Sequence, residues 1–89
     1  MTATEVLARA VAMVEAAPES ANALTLYALV NTLEYERAGW LFKLTKLKDM
    51  DTAARALAYG LMEQAVARGV GDAAWQKAKA RMDRAVRGV

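Results

Sequence analysis

Apolar residues recur at helical spacing in separate stretches of this chain, and three of these stretches are short. The spacing i, i+3, i+4, i+7 predicts amphipathic helices over about residues 4–16, 51–68 and 73–87. The apolar stripes are, in order, Val6, Leu7, Ala10, Val11, Val14 and Ala17; then Ala54, Leu57, Ala58, Leu61, Met62 and Ala65; then Trp75, Ala78, Met82, Ala85 and Val86. Each stripe indicates a helix with one buried face.

The remaining stretch predicts a longer second helix, over residues 21–47. Its heptad seam is Leu26, Val30, Leu33, Arg37, Trp40, Leu44 and Leu47. Such a helix would be about 40 Å long, whereas a compact domain of this size is only about 30 Å across. The helix therefore either breaks, with Gly39 the weakest point, or projects towards a partner. A second apolar face opposite the seam favours a place inside a bundle or between subunits; it contains Leu24, Ala28, Tyr35, Gly39 and Phe42.

Capping residues mark the ends of these helices. Ser20 is the expected N-cap of the second helix, Asp49 or Asp51 that of the third, and Asp72 that of the fourth. Gly69 fits the position just after the third helix. In that helix a separate line of small residues allows another helix to approach closely; it consists of Ala53, Ala56, Gly60 and Ala67.

Composition agrees with an all-α fold. The chain has 89 residues, of which 21 are Ala, 10 are Leu and none is Ile. Alanine favours helices, whereas β-branched residues favour strands. We therefore expect one domain over residues 1–89, a small four-helix bundle-like domain with a long second helix.

The types of residue that are absent limit the chemistry. There is no His and no Cys, which removes the commonest general base and metal ligand and all thiol chemistry. Glu34 and Glu36 point to different sides of a helix and do not converge. We therefore predict no catalytic residue, no cofactor and no metal site. The start of the chain lacks the basic region of a signal peptide, and its longest uncharged stretch, 20–33, is too short and polar to span a bilayer. The expected location is cytoplasmic, without membrane contact.

Charge is distributed unevenly along the chain. Residues 1–36 carry a net charge of −4 and residues 37–89 carry +6. The fourth helix has a basic face formed by Lys77, Arg81, Arg84 and Arg87. This face fits either contact with a polyanion such as nucleic acid or a solvated surface favoured by the helix dipole.

Five residues of the second helix are candidates for an interface. Arg37 is the one polar member of the seam; it either pairs with Glu34, Glu63 or Asp83 across helices or extends its charge to solvent. The predicted interface residues are Tyr27, Tyr35, Arg37, Trp40 and Phe42. Core filling is the alternative for the large rings, above all for Trp40.

These features predict a non-enzymatic helical module for protein–protein interaction or regulation. It is expected to be a homodimer and to use the second apolar face of the second helix. One alternative is a nucleic-acid-associated protein that uses the fourth helix. A ligand-binding bundle or a non-catalytic accessory subunit is the other.

Overall fold

Four α-helices and one short 3₁₀-helix form the part of the chain that the structure describes. The computed structural model describes residues 3–34 and 44–88. The helices are α1 (Ala3–Ala16), α2 (Ala21–Glu34), the 3₁₀-helix (Leu44–Asp49), α3 (Thr52–Arg68) and α4 (Ala73–Arg87). None of these residues lies in a β-strand. The predicted all-α fold class is confirmed.

The predicted caps define where the helices begin and end. The side chains of Ser20, Asp51 and Asp72 each accept a hydrogen bond from the backbone N–H three residues later, at 3.0, 2.8 and 2.8 Å. Each bond satisfies one of the amides that a helix start leaves without a partner. Gly69 follows α3 with φ of 77°, a conformation in which a side chain would be strained. Of the two candidates for the N-cap of α3, Asp51 is therefore the one that caps it.

The core is built from one face of α1, α3 and α4 and from most of the surface of α2. Every predicted stripe residue of α1 except Ala17 is buried. Half of the residues of α2 are buried, and they cover more than one face of the helix while Ala21 and Leu24 stay exposed. The buried residues are Ala23, Thr25, Leu26, Tyr27, Leu29, Val30 and Asn31. Because a helix that is apolar on more than one face needs cover on each, α2 packs against α1, α3 and α4.

Contacts between the helices establish their directions. Val6, early in α1, packs on Gly60 in the middle of α3. The end of α1 and the start of α3 border a common groove, so these two helices are antiparallel. Residues 17–20 join α1 to α2 in a tight turn, which makes these two antiparallel as well. α2 and α3 therefore run in the same direction, and a hydrogen bond of 3.0 Å from Asn22 to Asp51 joins their N-terminal ends.

The predicted α-helix over residues 21–47 is wrong at its C-terminal end. Residues 44–49 form a 3₁₀-helix, while residues 35–43, which include Gly39, lie outside the described residues. Leu47 of the 3₁₀-helix and Met50, which directly follows it, are both buried in the core. The described part of α2 has 14 residues, about 21 Å in length, and it fits a fold whose largest extent is 28 Å.

Gly60 provides the close helix approach that its line of small residues predicts. A Cβ atom at this position would lie 2.9 Å from Cγ2 of Val6 and 3.1 Å from Cγ1. Since valine is stiff about χ1, the two helices would have to move apart to accept even an alanine here. The missing side chain therefore sets the distance between α1 and α3.

Candidate functional site

The structure does not bring the predicted interface residues together on one surface. Tyr35, Arg37, Trp40 and Phe42 lie outside the described residues. Tyr27 is fully buried in the core of the protein itself. The prediction that Tyr27 is an interface residue is therefore wrong, because its ring fills the space between α2 and α4 and no surface of it is left for a partner.

Tyr27 belongs to a polar cluster with Lys79 and Asp83 of α4. Its hydroxyl donates a short hydrogen bond to Oδ1 of Asp83. The ammonium of Lys79 donates to the same oxygen at 2.8 Å and lies 5.5 Å from the centre of the Tyr27 ring. The side-chain amide of Asn31 donates to the carbonyl oxygen of Tyr27 at 2.9 Å. The spacing of Lys79 and Asp83, four residues apart, signals their pairing in the sequence, whereas the contact with Tyr27 depends on the packing of α2 against α4.

The cluster shifts the pKa values of two of its groups in opposite directions. Burial raises the pKa of Tyr27, and the hydrogen bond to Asp83 and the charge of that carboxylate raise it further. Burial alone would raise the pKa of Asp83, but hydrogen bonds from Lys79 and Tyr27, with the charges of Lys79 and Arg87, outweigh burial and lower it. Both shifts favour a neutral phenol on Tyr27 beside a carboxylate on Asp83, an arrangement that joins α2 to α4.

A second polar contact joins the same two helices near the start of α4. The indole N–H of the buried Trp75 donates to Oε2 of Glu34 at 3.3 Å. Glu34 and Asp83, two of the carboxylates proposed as partners of Arg37, therefore each bind a donor from α4. Glu63, the third, is exposed on α3.

The predicted basic face of α4 is partly neutralised. The guanidinium of Arg81 forms two hydrogen bonds with the carboxylate of Glu15 on α1, at 2.7 and 3.0 Å. Lys77, Arg84 and Arg87 are exposed. Arg87 also lowers the pKa values of Tyr27, through a hydrogen bond, and of Asp83, through its charge. The acidic N-terminal part of the chain thus meets the basic C-terminal part within one molecule at the Glu15–Arg81 pair, as the charge distribution of the sequence allows.

A groove of about 610 Å³ lies between α1 and the first half of α3. Its lining consists of Arg9, Ala12, Met13, Ala16, Ala17, Ser20, Asn22, Ala53, Ala56 and Leu57. All five of its alanines are exposed, so the groove is open to solvent. Arg9 is its one charged residue. The sequence indicated half of this groove, because Ala53 and Ala56 belong to the line of small residues in the third helix.

The outer face of α3 carries exposed apolar side chains. Tyr59 is 55% exposed and Val66 is 85% exposed. They are seven residues apart, so they lie on the same side of the helix. Of the other large apolar residues in the described part of the chain, only Leu24 on α2 is comparably exposed, at 46%.

In residues 3–34 and 44–88, no three carboxylates come together in a way that would hold a metal ion. None of the helices described is long and apolar enough to cross a membrane.

Comparison with known proteins does not place the chain in a family. No family model matches it, and no match is found among the curated proteins or the solved structures.

Proposed function

We propose that this chain is a non-enzymatic helical module that binds another protein by accepting one of its helices in the groove between α1 and α3. The observation that carries the proposal is the floor of exposed alanines that two neighbouring helices present to solvent. Helix axes approach to about 8–10 Å depending on the side chains between them. Small side chains on both sides of the groove leave room for a third helix.

The position of Arg9 specifies the chemistry of the partner helix. The guanidinium is exposed at the groove, and no salt bridge to it occurs among the described residues. A helix that enters the groove with its apolar face would meet this charge at its edge. We therefore expect a partner that is amphipathic and carries an Asp or Glu beside its apolar stripe.

The groove replaces the second apolar face of the second helix as the surface on which the proposal rests. Of that face only Leu24 and Ala28 lie within the described residues, and Ala28 is half-buried. The role of the rest of that face stays a prediction, as do the regulatory role, the homodimer and the cytoplasmic location.

The nucleic-acid alternative is less well supported than the groove. A phosphate-tracking face needs several free cations. Arg81 is held by Glu15 and Lys79 by Asp83, so of the predicted basic face only Lys77, Arg84 and Arg87 stay exposed without a salt bridge among the described residues. The absence of His and Cys from the sequence is the reason for proposing binding rather than catalysis.

Blocking the groove tests the proposal. Ala12→Glu places a carboxylate in the groove, and Ala80→Glu places the same group at an exposed position in the middle of α4 as a matched control. Proteins retained from extracts of the source cells by the wild type should be retained by Ala80→Glu and lost with Ala12→Glu. The retained protein is then purified, and its affinity for all three forms is measured by calorimetry. If no protein distinguishes Ala12→Glu from the control, the groove is not a docking site.

A further inference from the structure

The exposed face of α3 has the spacing of a coiled-coil seam. Thr52, Arg55, Tyr59, Met62 and Val66 are separated by 3, 4, 3 and 4 residues, and we call these five residues the outer seam of α3. Thr52, Tyr59 and Val66 are exposed on the side away from the buried residues Ala54, Leu57, Ala58 and Leu61. Arg55 and Met62 are half-buried at the edge of that side, and Met62 also packs against the core. An exposed heptad seam of this kind is the surface on which one helix packs against another.

Charge on and beside the seam selects the direction of the helix that covers it. If a second α3 packed in parallel, each Arg55 would face the Arg55 of the other copy, and the like charges would repel. An antiparallel pair about a two-fold axis between positions 60 and 61 places Arg55 beside Val66 of the other copy. Glu63, which flanks the seam, then lies only three residues, or about 4.5 Å along the axis, from the point opposite Arg55.

We propose that the outer seam of α3 is a self-association surface, on which the α3 helix of a second copy of this chain packs in antiparallel orientation. Tyr59 of each copy packs against Met62 of the other, and Val66 is covered by the methylenes of Arg55. The guanidinium of Arg55 pairs with the carboxylate of Glu63 across the interface. No salt bridge to either group occurs among the described residues, so neither has to be released first.

The size of the surface predicts a weak dimer. α3 has 17 residues and is about 25 Å long. In the proposed register Thr52 lies opposite Gly69 of the other copy, so the two helices overlap over their whole length. One helix pair buries less than the roughly 1,200 Å² at the lower limit of stable complexes. Association is therefore expected at micromolar or higher concentrations of the pure protein.

Exchange of the two charges tests both the surface and the direction. In sedimentation equilibrium, Arg55→Glu and Glu63→Arg should each raise the dimer Kd about tenfold, because the two-fold axis turns two attractive pairs into two repulsive ones. The double variant Arg55→Glu/Glu63→Arg restores opposite charges and should return the Kd close to that of the wild type. Single variants without effect, or a double variant as weak as the singles, would overturn the proposal.

Two control variants distinguish a loss of dimerisation from a loss of folding, and the purified chain separates dimerisation from binding in the groove. Val66→Lys should abolish dimerisation while far-ultraviolet circular dichroism stays unchanged, since the side chain is 85% exposed. Ala80→Lys, on the outer face of α4, should leave the Kd unaltered. A wild type that stays monomeric at millimolar concentration overturns the proposal. Because these measurements use only the purified chain, their outcome is independent of whether another protein binds the groove.

Discussion

The hydroxyl of Tyr27 offers the sharpest test of how the two central helices are held together. Tyr27→Phe keeps the ring in its buried place and removes one atom, the donor to Asp83. A hydrogen bond to a charged group contributes about 1.5–3 kcal/mol. Asp83 is only partly buried and keeps its contact with Lys79, so its carboxylate is not left without a partner. We therefore expect Tyr27→Phe to lower the free energy of unfolding by about 2 kcal/mol.

A loss of this size is easily measured. In a domain of this length 1 kcal/mol corresponds to about 4–8 °C in Tm, so Tm should fall by about 8–16 °C. Thermal and urea unfolding followed by circular dichroism at low protein concentration give both quantities. Tyr59→Phe is the matched control: Tyr59 is 55% exposed, and no hydrogen bond to its hydroxyl occurs among the described residues. It should change stability by less than about 0.5 kcal/mol.

A double-mutant cycle with Asp83→Asn identifies the partner. If the hydroxyl acts through Asp83, the two changes are not additive, and the coupling energy should be about 1–2 kcal/mol. The reasoning is refuted if Tyr27→Phe costs no more than Tyr59→Phe, or if its cost is the same with Asp or Asn at position 83.

Three further predictions concern packing, an unpaired polar atom and pH. Gly60→Ala gains about 1 kcal/mol in helix propensity, but its Cβ would lie 2.9 Å from the side chain of Val6. The substitution should therefore stabilise the protein against urea only when Val6 is also replaced by Ala. Equal effects with Val and with Ala at position 6 would contradict this. Gln64 is buried, and among the described residues its Oε1 has no hydrogen-bond partner. Gln64→Met should therefore raise the free energy of unfolding by about 1 kcal/mol, and a lower urea midpoint would count against the reasoning. Folding lowers the pKa of Asp83. The carboxylate therefore makes its full contribution to the free energy of unfolding above the pH at which an ordinary aspartate titrates, and this contribution is lost as the pH falls through the folded-state pKa. The stability difference between wild type and Asp83→Asn should therefore narrow in acid, and a difference that stays constant down to acid unfolding would exclude this explanation.

Local features of the structure could be predicted from the sequence. Ser20, Asp51 and Asp72 cap helices because the side chain of each accepts a hydrogen bond from the backbone N–H three residues later. Such contacts depend on neighbouring residues alone. The stripe of α1 could be predicted for the same reason, since helical periodicity shows which face is apolar. Ala17 is the exception; it continues the period but is exposed, because α1 ends at Ala16.

Features that depend on distant residues could not be predicted. Nothing in the sequence near Tyr27 indicates that Asp83, 56 residues later, receives its hydroxyl, and interface aromatics and core aromatics share the same spacing. The 3₁₀-helix over Leu44–Asp49 was also not foreseen, because Leu44 and Leu47 are three residues apart and fit both an α-helical heptad and a 3₁₀ turn. The sequence predicts where helices begin and end but not how they are arranged, so the parallel direction of α2 and α3 could not be predicted. The groove was indicated on its α3 side only, since its other wall comes from α1.

The pairing of α1 with α4 has a consequence for how the chain folds during synthesis. These two helices share the most extensive packing in the described structure, and the Glu15–Arg81 pair joins them across 66 residues. As the chain leaves the ribosome, the apolar stripe of α1 has no α4 to cover it until the last of the four helices has emerged. The nascent chain must therefore shield that part of the stripe by other means, either against the helices already formed or with a chaperone. Folding is then expected to be completed late and to be slower than in a bundle whose successive helices are neighbours.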